Sequence, residues 1–190
     1  TSILIGELSE GRFSLIGFYE RRARRILPAL FLVMLVCIPF VLALYMPPDV
    51  KDFFESLGAV SIFASNILFW IESGYFSASA ELKPLLHTWS LAVEEQYYII
   101  FPLFLMLTWF LGKRWILVIL IVGALVSLGV AHWAAYTKPV AAFYLLPTRG
   151  WELLIGAFAA FYLYKREDRG EQKNIFYEIL KNTKIFIWIS

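Results

Sequence analysis

The chain has 190 residues, of which 60% are hydrophobic and 18% aromatic, and its mean hydropathy is +0.68. Soluble domains are about 45–50% apolar, so this composition excludes an ordinary soluble domain and indicates a membrane protein. The formal charge is only +2, and the basic runs flank apolar stretches. That placement is typical of membrane topology signals rather than of a surface that binds nucleic acid.

The apolar stretches predict an all-α, polytopic bundle of transmembrane helices, since about 20 helical residues cross a bilayer. We interpret residues 1–190 as one partial membrane domain of a longer protein. Residues 1–25 would be the end of a transmembrane helix followed by a cytoplasmic interfacial helix. The predicted spans cover residues 26–45, 88–111, 115–134 and 147–164, and residues 185–190 would begin a further span.

The segment 57–71 is too short to span a bilayer comfortably and contains Ser61, Ser65 and Asn66. If it crossed fully, the 17 Lys and Arg residues would divide almost evenly between the two sides. If it is re-entrant and the arginine-rich segment is cytoplasmic, 13 lie inside and four outside. The positive-inside rule favours the second arrangement. Re-entrant backbone must be buried in protein or line a watery cavity, so the segment also indicates a cavity.

Two adjacent acids stand inside the apolar sequence KPLLHTWSLAVEEQYYIIFP, residues 83–102. Glu94 and Glu95 would lie about two turns into a helix that begins near Thr88. Ionisable residues at such depth face the bundle interior or water, and they pair with other groups. Ser90 lies four residues before Glu94 and His87 seven before it, so the three should share roughly one helical face. The acids therefore suit proton transfer, and a structural ion pair between helices is the alternative.

The sequence FYERRARRILP, residues 18–28, bunches four arginines at Arg21, Arg22, Arg24 and Arg25. Guanidinium groups bind phosphate in a bidentate manner, so the segment suits a phosphate-bearing ligand. Taken alone, the segment is explained more simply by anchoring of topology and binding of anionic lipid heads, and the tight bunching of the arginines beside a bundle keeps the phosphate-bearing ligand as the alternative. We expect these arginines at the opposite end of a path through the bundle from Glu94 and Glu95.

A third charged group follows in FYLLPTRGWELLIGA, residues 143–157, where Arg149 and Glu152 are three residues apart at a helix start. They would either form a local ion pair or reach into a cavity. Metal chemistry is not indicated, because the chain has one cysteine and two histidines that are far apart. A single cysteine, Cys37, also excludes an intramolecular disulfide.

These three segments, in this order, resemble the membrane-embedded acyltransferase family 3 of bacterial O-acyltransferases and O-antigen acetylases. The resemblance covers nearly all of residues 2–164, and SNILFW and GYF at 65–70 and 74–76 also fit. It implies a multi-pass protein of the bacterial inner membrane. Such a protein takes an acyl group, usually acetyl, from cytoplasmic acyl-coenzyme A and delivers it to a hydroxyl of an envelope sugar such as lipopolysaccharide O-antigen.

The resemblance also assigns roles to residues. It implies catalytic roles for Glu94, Glu95 and His87, and substrate binding by Arg21, Arg22, Arg25, Ser90, Arg149 and Glu152. It implies a transfer histidine in an upstream helix, so the 190 residues alone are expected to be inactive. The resemblance implies no bound cofactor, since acyl-coenzyme A is a substrate. It also implies no nucleic-acid partner.

Without the resemblance, a transporter or channel explains the same residues equally well. Such a protein also uses re-entrant backbone and buried acids. A scaffold without activity is the remaining alternative.

Overall fold

The computed structural model describes residues 2–73 and 83–168. These residues form helices and short connections, without a strand, as the sequence predicts. In chain order the helices are α1 Ser2–Ser9, α2 Leu15–Leu44, α3 Pro47–Ser61, α4 Ser65–Glu72, α5 Thr88–Thr108, α6 Lys113–Thr137, α7 Pro139–Tyr144 and α8 Leu146–Asp168. The predicted start of a further span at 185–190 lies outside the described residues.

Within the described part of the chain, three helices are long and apolar enough to cross a membrane. They are α2, α6, and α5 together with the 3-10 turn that follows it, Trp109–Leu111. Helix α8 covers the predicted span 147–164, but Arg149 and Glu152 in its first two turns make it less apolar. The all-helical membrane character predicted from composition is therefore confirmed.

The N-terminal part differs from the predicted boundaries. An interfacial helix ending at Arg25 and a separate span from residue 26 were expected, whereas α2 runs without interruption from Leu15 to Leu44. Ser14 caps the N-terminus of this helix, because its hydroxyl oxygen accepts a hydrogen bond from the Gly17 N–H at 3.2 Å. A span that started at residue 26 would have had Pro28 in its first turn, where proline is tolerated, whereas Pro28 lies inside the continuous helix. The arginines are thus fixed rigidly to an apolar helix.

The segment 57–71 is broken into two helices. Helix α3 ends at Ser61 and α4 begins at Ser65, and Phe63 between them has a left-handed φ of 54°. Neither helix is among those long enough to span a bilayer. Broken helices are a common form of re-entrant backbone, and the re-entrant topology itself stays a prediction.

Two contacts show that α2 and α5 run antiparallel where they meet. The Tyr19 hydroxyl donates to the Ile99 carbonyl at 2.8 Å, and Arg22 pairs with Glu95. Advancing along α2 therefore means moving backwards along α5, which is the relation that the predicted topology requires. An apolar core joins α2, α3 and Leu85, which lies just before α5. Its buried residues are Leu30, Met34 and Val41 of α2, Phe53 and Val60 of α3, and Leu85.

The described residues divide into a larger compact unit, within residues 14–153, and a smaller one that combines residues 2–13 with 154–168. In the smaller unit, Leu4 and Ile5 of α1 are buried, as are Ala157 and Phe161 of α8. All predicted site residues belong to the larger unit.

Candidate active site

Helix α5 turns its two adjacent glutamates toward different surroundings. Glu95 is only 7% exposed, whereas Glu94 is exposed. Successive residues of an α-helix are rotated by about 100° around its axis. One step along the chain is therefore enough to separate a buried carboxylate from one that faces an open space.

Glu95 is buried against Arg22 of α2. Arg22 Nη2 donates to Glu95 Oε1, and Arg22 Nε lies 3.4 Å from Glu95 Oε2, so the guanidinium meets the carboxylate through two nitrogens. Both side chains are largely shielded from solvent, at 23% and 10% exposure. The Arg22 Cζ also lies 3.4 Å from the ring centroid of Tyr98. We call Arg22 and Glu95 the buried pair.

Glu94 faces an open cleft of about 60 Å³ between the start of α5 and the start of α8. The cleft has room for a few water molecules. Its lining consists of Trp89, Ser90, Val93, Glu94, Arg149, Glu152 and Leu153. Four predicted site residues therefore meet here, two from each helix, and we call this space the acidic cleft.

Arg149 is held in place on two sides. Its Nη2 and Nε lie 2.7 and 3.2 Å from Glu152 Oε2, and its Cζ lies 4.8 Å from the Trp89 ring centroid. Trp89 in turn packs against Phe143 and Tyr144 of α7, with centroid distances of 4.5 and 5.5 Å. A cation over an aromatic face is stabilised by about 0.5–1 kcal/mol at exposed sites. Arg149 and Glu152 therefore fulfil both predicted alternatives. They form a local ion pair with each other, and both also line the acidic cleft.

Hydrogen bonds between the buried amide of Asn66 and the partly buried amide of Gln96 fix how α5 is rotated. Gln96 Nε2 donates to Asn66 Oδ1 at 2.8 Å and to the Phe63 carbonyl at 3.0 Å. Asn66 Nδ2 donates to the Tyr144 carbonyl at 3.1 Å. The network ties α5 to the break before α4 and to α7. Because Gln96 directly follows the glutamates, its anchoring sets which way each of them points.

Three predicted site residues lie outside both groups. His87 is exposed at the start of α5 and is not part of the cleft lining, although its carbonyl accepts a hydrogen bond from Ser90 Oγ at 3.1 Å. Arg21 and Arg25 are exposed on α2. No group of three or more His, Cys, Asp or Glu side chains that could hold a metal occurs among the described residues.

The expected separation between the arginines and the acids is wrong for Arg22, which contacts Glu95 directly. The reason is that α2 is longer than predicted, so its first turns lie beside α5 instead of in a separate interfacial helix. The sequence analysis also missed Tyr98, which contacts Arg22 of the buried pair, and Trp89 and Val93, which line the acidic cleft. Trp89 and Val93 each lie one position before Ser90 and Glu94, so the same four-residue spacing could have indicated them.

The fold and the cleft define a helical membrane protein with charged side chains between its helices. Sequence comparison then gives the family. The family model of the acyltransferase domain matches residues 3–180, and the chain belongs to this acyltransferase family. The resemblance identified above from three segments is therefore confirmed.

The chain is also similar to individual proteins, two of which are named O-acetyltransferases. An uncharacterized protein of Haemophilus influenzae is 34% identical over 98% of this chain and 80% of its own length. The peptidoglycan O-acetyltransferase OatA of Listeria monocytogenes is 32% identical over 85% of this chain, and so is the O-acetyltransferase OatA of Staphylococcus aureus. The matched region is only 27% of the length of these two relatives. No solved structure matches the chain.

Proposed function

We propose that the protein transfers an acyl group, acetyl in the first instance, from cytoplasmic acyl-coenzyme A to a hydroxyl of a cell-envelope sugar. We place it in the bacterial inner membrane as a multi-pass protein. Family membership supports the reaction class. The acidic cleft carries the proposal, because it unites Ser90, Glu94, Arg149 and Glu152 from two helices in one open space.

The acidic cleft suits a sugar acceptor. Carboxylates accept hydrogen bonds from hydroxyl groups, and a guanidinium donates to hydroxyl oxygens. Glu94, Glu152 and Arg149 supply both kinds of group, and Trp89 adds an apolar face. We assign the acceptor hydroxyl to this cleft. Both of its acids are exposed, and Glu152 is paired with Arg149, so we assign the reacting hydroxyl to Glu94.

The donor end of the proposal concerns α2. Arg21 and Arg25 are exposed residues of α2, and guanidinium groups bind phosphates through charge-assisted hydrogen bonds. Arg22 is turned inward to Glu95, so it would reach a phosphate only by leaving that partner. We therefore assign the contact with the phosphates of coenzyme A to Arg21 and Arg25, and a positioning role to Arg22.

The transfer forms a bond between the acyl carbonyl carbon and the sugar oxygen and breaks the bond between that carbon and the sulfur of coenzyme A. The hydroxyl proton passes to a base and ends on the departing thiolate. Glu94 is the group of this chain that we expect to carry the proton, together with the histidine that the family resemblance implies in an upstream helix. His87 stands exposed at the start of α5, outside the cleft lining.

The test uses the full-length protein in membranes of a host without its own envelope O-acetyltransferases. Acetyl-coenzyme A with a labelled acetyl group is added, and the lipopolysaccharide and peptidoglycan fractions are then separated from each other. We expect label in one glycan fraction, and the fraction that carries it identifies the acceptor. Protein-dependent movement of a solute with no label in either fraction would overturn the proposal in favour of a transporter.

The donor assignment has its own variant. Arg25→Gln should raise the KM for acetyl-coenzyme A by about 5-fold through the loss of a charge-assisted hydrogen bond, with the acceptor KM unchanged. Glu55→Gln is the matched control, since Glu55 is exposed on α3 and pairs only with Lys51 at 3.5 Å among the described residues. An unchanged donor KM in Arg25→Gln would contradict this assignment.

A further inference from the structure

Ser127, in the middle of the apolar helix α6, contacts the beginning of α8 through its hydroxyl group. Its Oγ accepts a hydrogen bond from the Trp151 N–H at 3.0 Å and donates one to the Pro147 carbonyl at 2.7 Å. In a regular α-helix, the N–H of residue 151 donates to the carbonyl of residue 147. The Ser127 hydroxyl therefore bridges the donor and the acceptor of one backbone pair in the neighbouring helix.

Gly150 makes this approach possible. A Cβ atom at Gly150 would lie 3.3 Å from Ser127 Oγ, which is closer than most real Cβ contacts, and 4.0 Å from Ser127 Cβ. A glycine inside a helix costs about 1 kcal/mol relative to alanine. The contact with Ser127 gives a physical reason for accepting that cost at this position.

The bridged turn is the one that carries two side chains of the acidic cleft. Arg149 and Glu152 lie immediately on either side of Gly150 and Trp151. A hydroxyl inserted into the hydrogen-bond ladder changes the direction of a helix at that point. The rotation and height of this turn relative to Glu94 thus depend on a serine that does not itself line the cleft.

We propose that Ser127 is a positioning residue that holds the first turns of α8, so that Arg149 and Glu152 face Glu94 across the acidic cleft. Its catalytic meaning rests on the proposed function, whereas its structural part does not. Ser127 acts through Arg149 and Glu152 and touches no substrate.

The structural part is tested by a disulfide in the full-length protein. Ser127→Cys and Gly150→Cys are combined in a Cys37→Ala background, because a Cβ separation of 4.0 Å lies within the range of about 3.5–4.5 Å that disulfides adopt. Mild oxidation in native membranes should join the two residues, as detected by mass spectrometry. The matched control pairs Gly129→Cys with Gly150→Cys, since a Cβ at Gly129 meets no atom within 4 Å. No bond in the first pair, or equal yields in both, would overturn the placement.

The functional part is tested by kinetics with Ser127→Ala and Ser127→Thr. Alanine removes the hydroxyl, and we expect the KM for the sugar acceptor to rise by about 5- to 10-fold, the equivalent of about one hydrogen bond. The KM for acetyl-coenzyme A should stay unchanged, and threonine, which keeps the hydroxyl, should restore most of the loss. An unchanged acceptor KM in Ser127→Ala, or equal changes in both KM values, would overturn the positioning role.

The two proposals fail separately. If the wild-type protein labels no glycan, the proposed function fails, and the cross-link alone then decides whether Ser127 holds this turn. If the wild-type protein labels glycan and the cross-link does not form, the proposed function stands and the role of Ser127 is wrong.

Discussion

Glu94 and Glu95 are the same residue type at adjacent positions, yet they occupy two different regions of the molecule. Glu95 is buried and paired with Arg22 of α2, whereas Glu94 is exposed in a cleft shared with α8. The rotation of one helix, fixed by the hydrogen bonds of Gln96, creates the difference. One short motif therefore supplies a buried, paired acid and an exposed acid, and our proposal gives the chemistry to the exposed one.

The two acids should respond differently to substitution, because one is buried and paired and the other is exposed. A buried charge that loses its partner is left without compensation, which destabilises a protein strongly. An exposed carboxylate is already hydrated, so neutralising it has little effect on folding. The buried pair and the acidic cleft can thus be separated by measuring stability and activity in the same variants.

The largest expected effect on stability is that of Glu95→Ala. It leaves Arg22 largely shielded and without its carboxylate, and we expect the free energy of unfolding to fall by about 3 kcal/mol. This is the lower end of the usual range, because Arg22 keeps 23% exposure and its contact with Tyr98. Denaturant titration of the full-length protein in detergent measures the change. A loss no greater than that of Glu94→Ala would break the comparison.

The next effect concerns the amide network that sets the rotation of α5. Asn66→Leu deprives Gln96 and the Tyr144 carbonyl of a partner, and we expect a loss of about 1–3 kcal/mol in the free energy of unfolding. Gln96→Leu should cost a similar amount. The double variant should cost clearly less than the sum, since the two amides bond each other at 2.8 Å. Strict additivity of the two losses would show that the network is not shared.

A smaller effect is expected from Trp89→Leu, which removes the aromatic face beneath Arg149. Losing a cation–π contact of about 0.5–1 kcal/mol should raise the acceptor KM by a few-fold and leave the donor KM unchanged. Trp89→Phe keeps an aromatic ring and should lie between the wild type and Trp89→Leu. If the KM for acetyl-coenzyme A changes instead of the acceptor KM, the assignment of the sugar acceptor to the acidic cleft is wrong.

The smallest effect is expected from Glu55→Gln. In its pair with Lys51 both side chains are exposed, and the separation of 3.5 Å is longer than that of a close ion pair. Such pairs contribute at most about 0.5 kcal/mol, so both the unfolding free energy and the rate of sugar labelling should match those of the wild type. A larger loss would mean that charge removal in general, rather than burial, explains the result for Glu95.

Local relations were predictable from the sequence, whereas contacts between distant segments were not. The spacing of Ser90 and Glu94 placed both on one face, and both line the acidic cleft. Composition and apolar runs were sufficient for the all-helical class. The pairing of Arg22 with Glu95 joins residues 73 positions apart, and it depends on α2 continuing through the arginines. Charge and Pro28 suggested a helix boundary there, but the continuous helix α2 overrides both signals.

The most direct test of the central claim compares Glu94→Gln with Glu95→Gln in the full-length protein, measuring acetyl labelling of envelope glycan and the unfolding midpoint in parallel. We predict that Glu94→Gln keeps the wild-type midpoint and loses at least about 100-fold in labelling rate, whereas Glu95→Gln lowers the midpoint. Labelling at the wild-type rate in Glu94→Gln, with the midpoint of Glu95→Gln unchanged, would contradict the division of roles between the two acids.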